Sequence, residues 1–115
     1  MQFTAEARFI RHSPYKMRLL VALVRGQRVK NALNTLAGQS MKRVIPLRKM
    51  IESAAANARY LANIELEKLT IKEIRVDQGP TIRYFKPGAM GRAASQKRRM
   101  SHMKIILESI EKKEA

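Results

Sequence analysis

The sequence predicts an α+β protein, with three helices packed on a small three-stranded antiparallel sheet and one long protruding β-hairpin. Three observations predict it. Alternating apolar runs near both ends and past the middle of the chain have the period of half-buried strands. Between the first two runs, apolar residues recur at helical spacing. Between the last two lies a basic stretch punctuated by Gly and Pro, with no apolar alternation to bury.

Phe3, Ala5, Ala7 and Phe9 alternate with Gln2, Thr4, Glu6 and Arg8, so the opening residues read as a strand. Ser13-Pro14 marks a helix start. Serine accepts from free backbone N–H groups, and proline fits the first helical position, where no N–H partner is lost. Met17, Leu20, Val21 and Val24 form the inward stripe, and Gly26 is placed to end the helix in the left-handed conformation. Val29, Ala32, Leu33 and Leu36 give a second short helix ending at Gly38. Ser40 is placed to cap a third, whose apolar set is Val44, Leu47, Ile51, Ala54, Ala55, Ala58 and Leu61. Pro46 lies inside that pattern and must either kink the first turns or delay the start by a few residues. The Ala54-Ala55-Ala56 run offers small side chains against which another element approaches closely, which makes this the central buried helix.

Leu69 and Ile71 alternate, then Ile74 and Val76 alternate in the opposite phase, the trace of a β-bulge or of a strand that changes faces. Met103, Ile105 and Leu107 form the matching run. Between them Gly79-Pro80 interrupts, Thr81 to Lys86 is extended and basic, Pro87-Gly88 with Gly91 marks a turn, and Arg92 to Arg99 returns. The flanking runs are expected to pair in the body sheet while the intervening residues leave it as a hairpin. Roughly ten residues per arm at about 3.3 Å each project on the order of 30 Å. Such an arm has no core of its own and is expected to be mobile in free solution. The chain reads as a single domain over 1–115: a body at 1–78 and 102–110, the hairpin at 79–101, and a frayed terminus at 111–115.

Charge points to the partner. The 115 residues hold 24 Lys and Arg against 9 Asp and Glu, a formal net charge of +15. There is no acidic residue between Glu6 and Glu52, or between Asp77 and Glu108, while the middle of the chain is nearly balanced. A phosphate backbone repels every carboxylate brought near it, so long acid-free stretches mark a nucleic-acid footprint. The candidate ligands in the body are Arg8, Arg11, Ser13, Lys16, Arg18, Arg25 and Lys42. Those in the hairpin are Arg83, Tyr84, Lys86, Arg92, Lys97, Arg98, Arg99 and His102. Tyr84 and Phe85 are placed to stack on unpaired bases or ribose, or else to cover the base of the hairpin.

Other functions find little support. Without Cys there is no disulfide framework, thiol nucleophile or Cys-based zinc site. The start of the chain has neither a basic n-region nor an apolar h-region, and the longest apolar run, Leu19 to Val24, is far short of the roughly 20 residues of a membrane span. No two carboxylates are positioned as an acid/base pair, and no HExxH, P-loop or dinucleotide turn is present. No catalysis, cofactor or metal is expected; the absence of Cys fits a reducing compartment, and composition leaves a soluble, intracellular, polyanion-binding domain.

The order of features then resembles a known family. Ser13-Pro14-Tyr15-Lys16-Met17-Arg18-Leu19-Leu20, followed by Leu23-Val24-Arg25-Gly26, is similar to the opening helix of the bacterial type of large ribosomal subunit protein twenty-two. Ser53-Ala54-Ala55-Ala56-Asn57-Ala58 resembles that family's central helix. Asp77-Gln78-Gly79-Pro80-Thr81 and Gly91-Arg92-Ala93 resemble its hairpin arms, and Arg98-Arg99-Met100-Ser101-His102-Met103 the return. The resemblance implies a structural component of the large subunit that binds 23S-type rRNA, supports assembly and contacts neighbouring ribosomal proteins, as a monomer within the cytoplasmic ribosome. It leaves an organellar origin open. It also implies that the hairpin lines the polypeptide exit tunnel, with Pro87, Gly88, Ala89, Met90 and Gly91 as the tunnel-lining tip and the nascent chain as a further candidate contact. Gly88 stands where the family usually has a basic residue, and Met90 where polar residues are common. The alternative is an architectural DNA-binding protein that wedges the proline of a basic β-arm between base steps.

Overall fold

A computed structural model describes residues 2–109 of the chain. The elements run β1 (Gln2–Ile10), α1 (Pro14–Val24), α2 (Val29–Ala37), α3 (Val44–Ala62), β2 (Leu69–Pro87) and β3 (Ala93–Ser109). Single 3-10 turns lie at Leu66–Lys68 and Ala89–Gly91. The strands form one antiparallel sheet in the order β1-β3-β2, so the C-terminal strand is central. The expected three helices on a three-stranded sheet are therefore present. The frayed terminus expected at 111–115 lies outside the described residues, as does residue 110.

Alternation on the strands and periodicity on the helices meet in one core. Phe3, Ile71, Ile74, Met103, Ile105 and Leu107 from the sheet close against Met17, Val21, Val29, Leu36, Leu47 and Ile51. Helix α1 starts as its sequence dictates: the Ser13 hydroxyl accepts from the Lys16 N–H at 3.3 Å, and Pro14 takes the first position. Gly26, at φ +78°, turns the chain out of it, a conformation that a Cβ would strain. Helix α2 ends at Gly38 as expected.

Helix α3 corrects one expectation. Ser40 does not cap it; the helix begins at Val44 with Arg43 at the cap position and no side-chain cap. The late start puts Pro46 in the first turn, where its missing N–H leaves no intrahelical bond unmade. Ala54 and Ala55 are buried against the sheet, whereas Ala56 points outward. The Asn57 side-chain amide donates to the Thr4 carbonyl at 3.1 Å and fastens α3 to β1.

Each strand irregularity is a bulge. The phase slip in β2 is an extra residue between Ile71 and Glu73. Gly79-Pro80 does not end the strand: the ladder passes from Gln78↔Ser101 to Thr81↔Arg99 with one residue to spare. In β1 the register shifts between Ala7 and Ile10, and this overturns the inward placement of Phe9. Phe9 adopts φ +56°, its ring is exposed, and Ile10 is buried instead. A one-residue slip exchanges the faces of everything beyond it.

The β1 pairing stops at Ile10↔Ser101, but the β2–β3 ladder continues to Pro87↔Ala93. Seven residue pairs beyond the second bulge, at about 3.3 Å each, carry this ribbon roughly 20–25 Å past the three-stranded region. The molecule is consequently 74 Å long and 25 by 20 Å across. Its radius of gyration of 17.8 Å exceeds the about 13 Å of a compact domain of this size.

Candidate nucleic-acid interface

The two-stranded ribbon presents its side chains to solvent on both faces. Arg83, Lys86, Arg92, Lys97, Arg98 and Arg99 are all exposed, and no carboxylate lies on the ribbon. Strand pairing sets two cations across from one another, Arg83 opposite Lys97. Like charges facing across a ladder cost stability unless an anion lies between or beside them. Tyr84 is half-buried by its own ribbon: its hydroxyl donates to Gln96 Oε1 at 2.8 Å, and the Arg98 guanidinium sits 5.8 Å from its ring centroid. Phe85 does not cover the base of the hairpin; it is 71% exposed. At the tip the Gly88 N–H donates to the Arg92 carbonyl, and Met90 and Gly91 both turn left-handed, at φ 58° and 74°. Pro87, Gly88, Ala89, Met90 and Gly91 are all exposed, Met90 completely.

Where the ribbon leaves the body, a hollow of about 600 Å3 is lined by Arg11 and Ser13 from the β1–α1 turn, and by Ile82, Tyr84, Lys97, Arg98, Arg99 and Met100 from the ribbon. A second concavity joins Arg11, His12, Ser13 and Lys16 to Met41, Lys42 and Arg43. Both contain cations and no carboxylate. The His12 pKa is lowered by partial burial, then by the charges of Arg43 and Lys16, which favour its neutral form.

Other expected ligands are already engaged. Arg18 donates to the Val76 carbonyl through Nε at 3.2 Å and Nη2 at 3.0 Å, and Arg25 Nη2 donates to the Ile74 carbonyl at 3.0 Å. These carbonyls belong to the outer strand of the sheet, so the two arginines close an edge that would otherwise be open. The Gln27 carbonyl continues the cover by accepting from the Ile71 N–H at 3.0 Å. Arg8 pairs with Glu6 at 3.2 Å on the surface. Nδ1 of His102 accepts from the Phe9 N–H at 3.0 Å while the two rings meet edge-on, so this histidine holds the β1 bulge.

Comparison with known proteins matches residues 5–108 to the model of a family described as ribosomal protein L22p/L17e. The chain belongs to that family. Among its relatives, the large ribosomal subunit protein uL22 of Desulfitobacterium hafniense strain Y51 is 42% identical over 113 residues, covering 98% of this chain and 97% of the relative. Proteins of the same name from Myxococcus xanthus and Syntrophus aciditrophicus are 40% and 44% identical, covering 97% and 94% of this chain and 100% and 98% of their own lengths.

For this L22-family chain, the fold gathers Arg11, Ser13, Lys16 and Lys42 on one side of the α1 N-terminus and brings Tyr84, Lys97, Arg98 and Arg99 against the first two. It leaves Arg83, Lys86 and Arg92 farther out along the ribbon. Sequence reasoning missed His12 and Arg43, which complete the second concavity, and Ile82 and Met100, which give the first its apolar wall. A signal for the last two was present: they are large apolar residues in a stretch with no core to fill.

Proposed function

We propose that this protein is a non-catalytic structural constituent of the large ribosomal subunit, as a monomer within the ribosome, and that it binds 23S-type rRNA. The observation behind the proposal is the acid-free ribbon that extends from the packed body of an L22-family chain with no protein surface to rest on. Arg11, Lys16, Lys42 and Arg43 supply phosphate contacts from the body, with Arg83, Lys86, Arg92, Lys97, Arg98 and Arg99 along the ribbon. Polyanion neutralisation removes the mutual repulsion of these cations. The ribbon then lies along the wall of the exit tunnel, with residues 86–92 facing the nascent chain, and the body meets rRNA and neighbouring ribosomal proteins during assembly. The units of this proposal are the body at 1–78 and 102–110 and the hairpin at 79–101.

Sedimentation of a native lysate after a high-salt wash tests the proposal. Stoichiometric retention with the large subunit is expected. Recovery with the nucleoid, or as a small free dimer, would transfer the basic arm to the DNA-binding alternative.

A further inference from the structure

The hollow between the ribbon and the β1–α1 turn is built for more than phosphate. Its lining joins the cations Arg11 and Arg98 to an apolar wall of Ile82, Tyr84 and Met100, and the pairing of Ile82 with Arg98 and of Tyr84 with Gln96 puts Ile82, Tyr84 and Arg98 on one face of the ribbon. Paired helical backbone needs cations alone, because its bases are stacked inside and present no flat face to a protein cavity. An apolar wall inside a cationic rim matches a ligand that has both a π-face and a phosphate. The volume, about 600 Å3, is within the roughly 300–1,000 Å3 range of small-ligand sites. Tyr84 is oriented in advance by its bond to Gln96 and by Arg98 over its ring, so little side-chain freedom is lost when a second ring stacks there. Ile82 is left 47% exposed, outside the core of the described residues.

We infer that this hollow receives a single unstacked nucleotide of an RNA strand, its base against Tyr84, Ile82 and Met100 and its phosphate between Arg11 and Arg98. The inference rests on the RNA-binding function proposed above. It gives the hollow a mechanical consequence. Arg11 belongs to the body and Arg98 to the ribbon, so one bound nucleotide fixes the direction of the ribbon relative to the body.

The test uses the full chain and two RNA hairpins, one fully paired and one identical except for a single bulged 2-aminopurine nucleotide. The bulged RNA is expected to bind about ten-fold tighter, the scale of one base–aromatic stack, with quenching of the aminopurine fluorescence. Tyr84→Ser should reduce its binding to the level of the paired RNA, and Tyr84→Phe, which keeps the ring, should retain the preference. Equal binding of both RNAs, or a preference that survives Tyr84→Ser, overturns the inference and leaves RNA binding intact. Failure to bind either RNA overturns the RNA function and the inference together. Displacement of the bulged RNA by micromolar adenosine monophosphate would make this a free-nucleotide site and overturn the assignment to an RNA strand.

Discussion

Arg18 separates a fold contact from an RNA contact. Its guanidinium makes two bonds to one carbonyl of the outer strand, and Met in its place keeps most of the aliphatic stem while deleting both. Hydrogen bonds from a charged donor contribute about 1.5–3 kcal/mol when buried, and water can replace part of that at this half-open site. The expected loss for Arg18→Met is therefore about 1–2 kcal/mol, or roughly 4–8 °C in Tm for a domain of this size. Arg11→Met is the control, because Arg11 has no hydrogen-bond or ion-pair partner among the described residues and lines both concavities. It should leave Tm unchanged and lower the slope of log affinity against log salt by about 0.7–0.9, the share of one phosphate. Thermal unfolding and filter binding of a large-subunit rRNA transcript at several salt concentrations read the two effects. An unchanged Tm for Arg18→Met together with a reduced salt slope would refute the reasoning, because Arg18 would then be a phosphate ligand and its strand contact expendable.

Four further outcomes are expected. Gly26→Ala forces an L side chain to φ +78° and should cost about 1 kcal/mol in chemical denaturation, although no atom obstructs the new Cβ. Ala54→Leu inserts volume where α3 meets the sheet, and a loss of about 1–3 kcal/mol by the same assay is expected. Replacing residues 86–94 with a two-residue Asn-Gly turn closed by the Phe85↔Ser95 pair removes only exposed side chains, so stability and body-mediated rRNA affinity should be retained; loss of all rRNA affinity would contradict the division between body and ribbon. The lowered pKa of His12 means that the unfolded chain binds its proton more readily than the folded one. Stability should therefore fall as pH drops below 6.5, towards the lower folded value, and the difference from His12→Gln should become independent of pH above that range.

Much of this molecule was legible in one dimension because its signals are local. Ser13-Pro14 and Gly26 bracket α1 through capping and backbone sterics that need no distant partner. The opposite phases of Ile71 and Ile74 gave the bulge in β2 because side-chain alternation is set by the strand itself. The hairpin followed from what was missing, a basic stretch with no apolar alternation to bury. Ser40 misled because capping chemistry names a candidate, whereas the start of α3 depends on where Val44 and Leu47 reach the core. Phe9 misled for a related reason: a bulge fixed by His102, ninety-three positions away, turns its ring outward.

The candidate site divides along the same line. Net charge and its acid-free stretches are written in the order of the residues, and with them the expectation of a polyanionic partner, since opposite charge attracts whatever the fold. Which cations remain available was decided by tertiary structure. Arg18 and Arg25 look identical to Arg11 in sequence, yet the edge of the sheet takes their donors because unpaired strand carbonyls lie within reach. Ile82 and Met100 gained a use only when the ribbon folded beside the β1–α1 turn and enclosed a volume that no linear pattern encodes. Local sterics and charge are written residue by residue, whereas a cavity and an occupied hydrogen-bond donor exist only between elements.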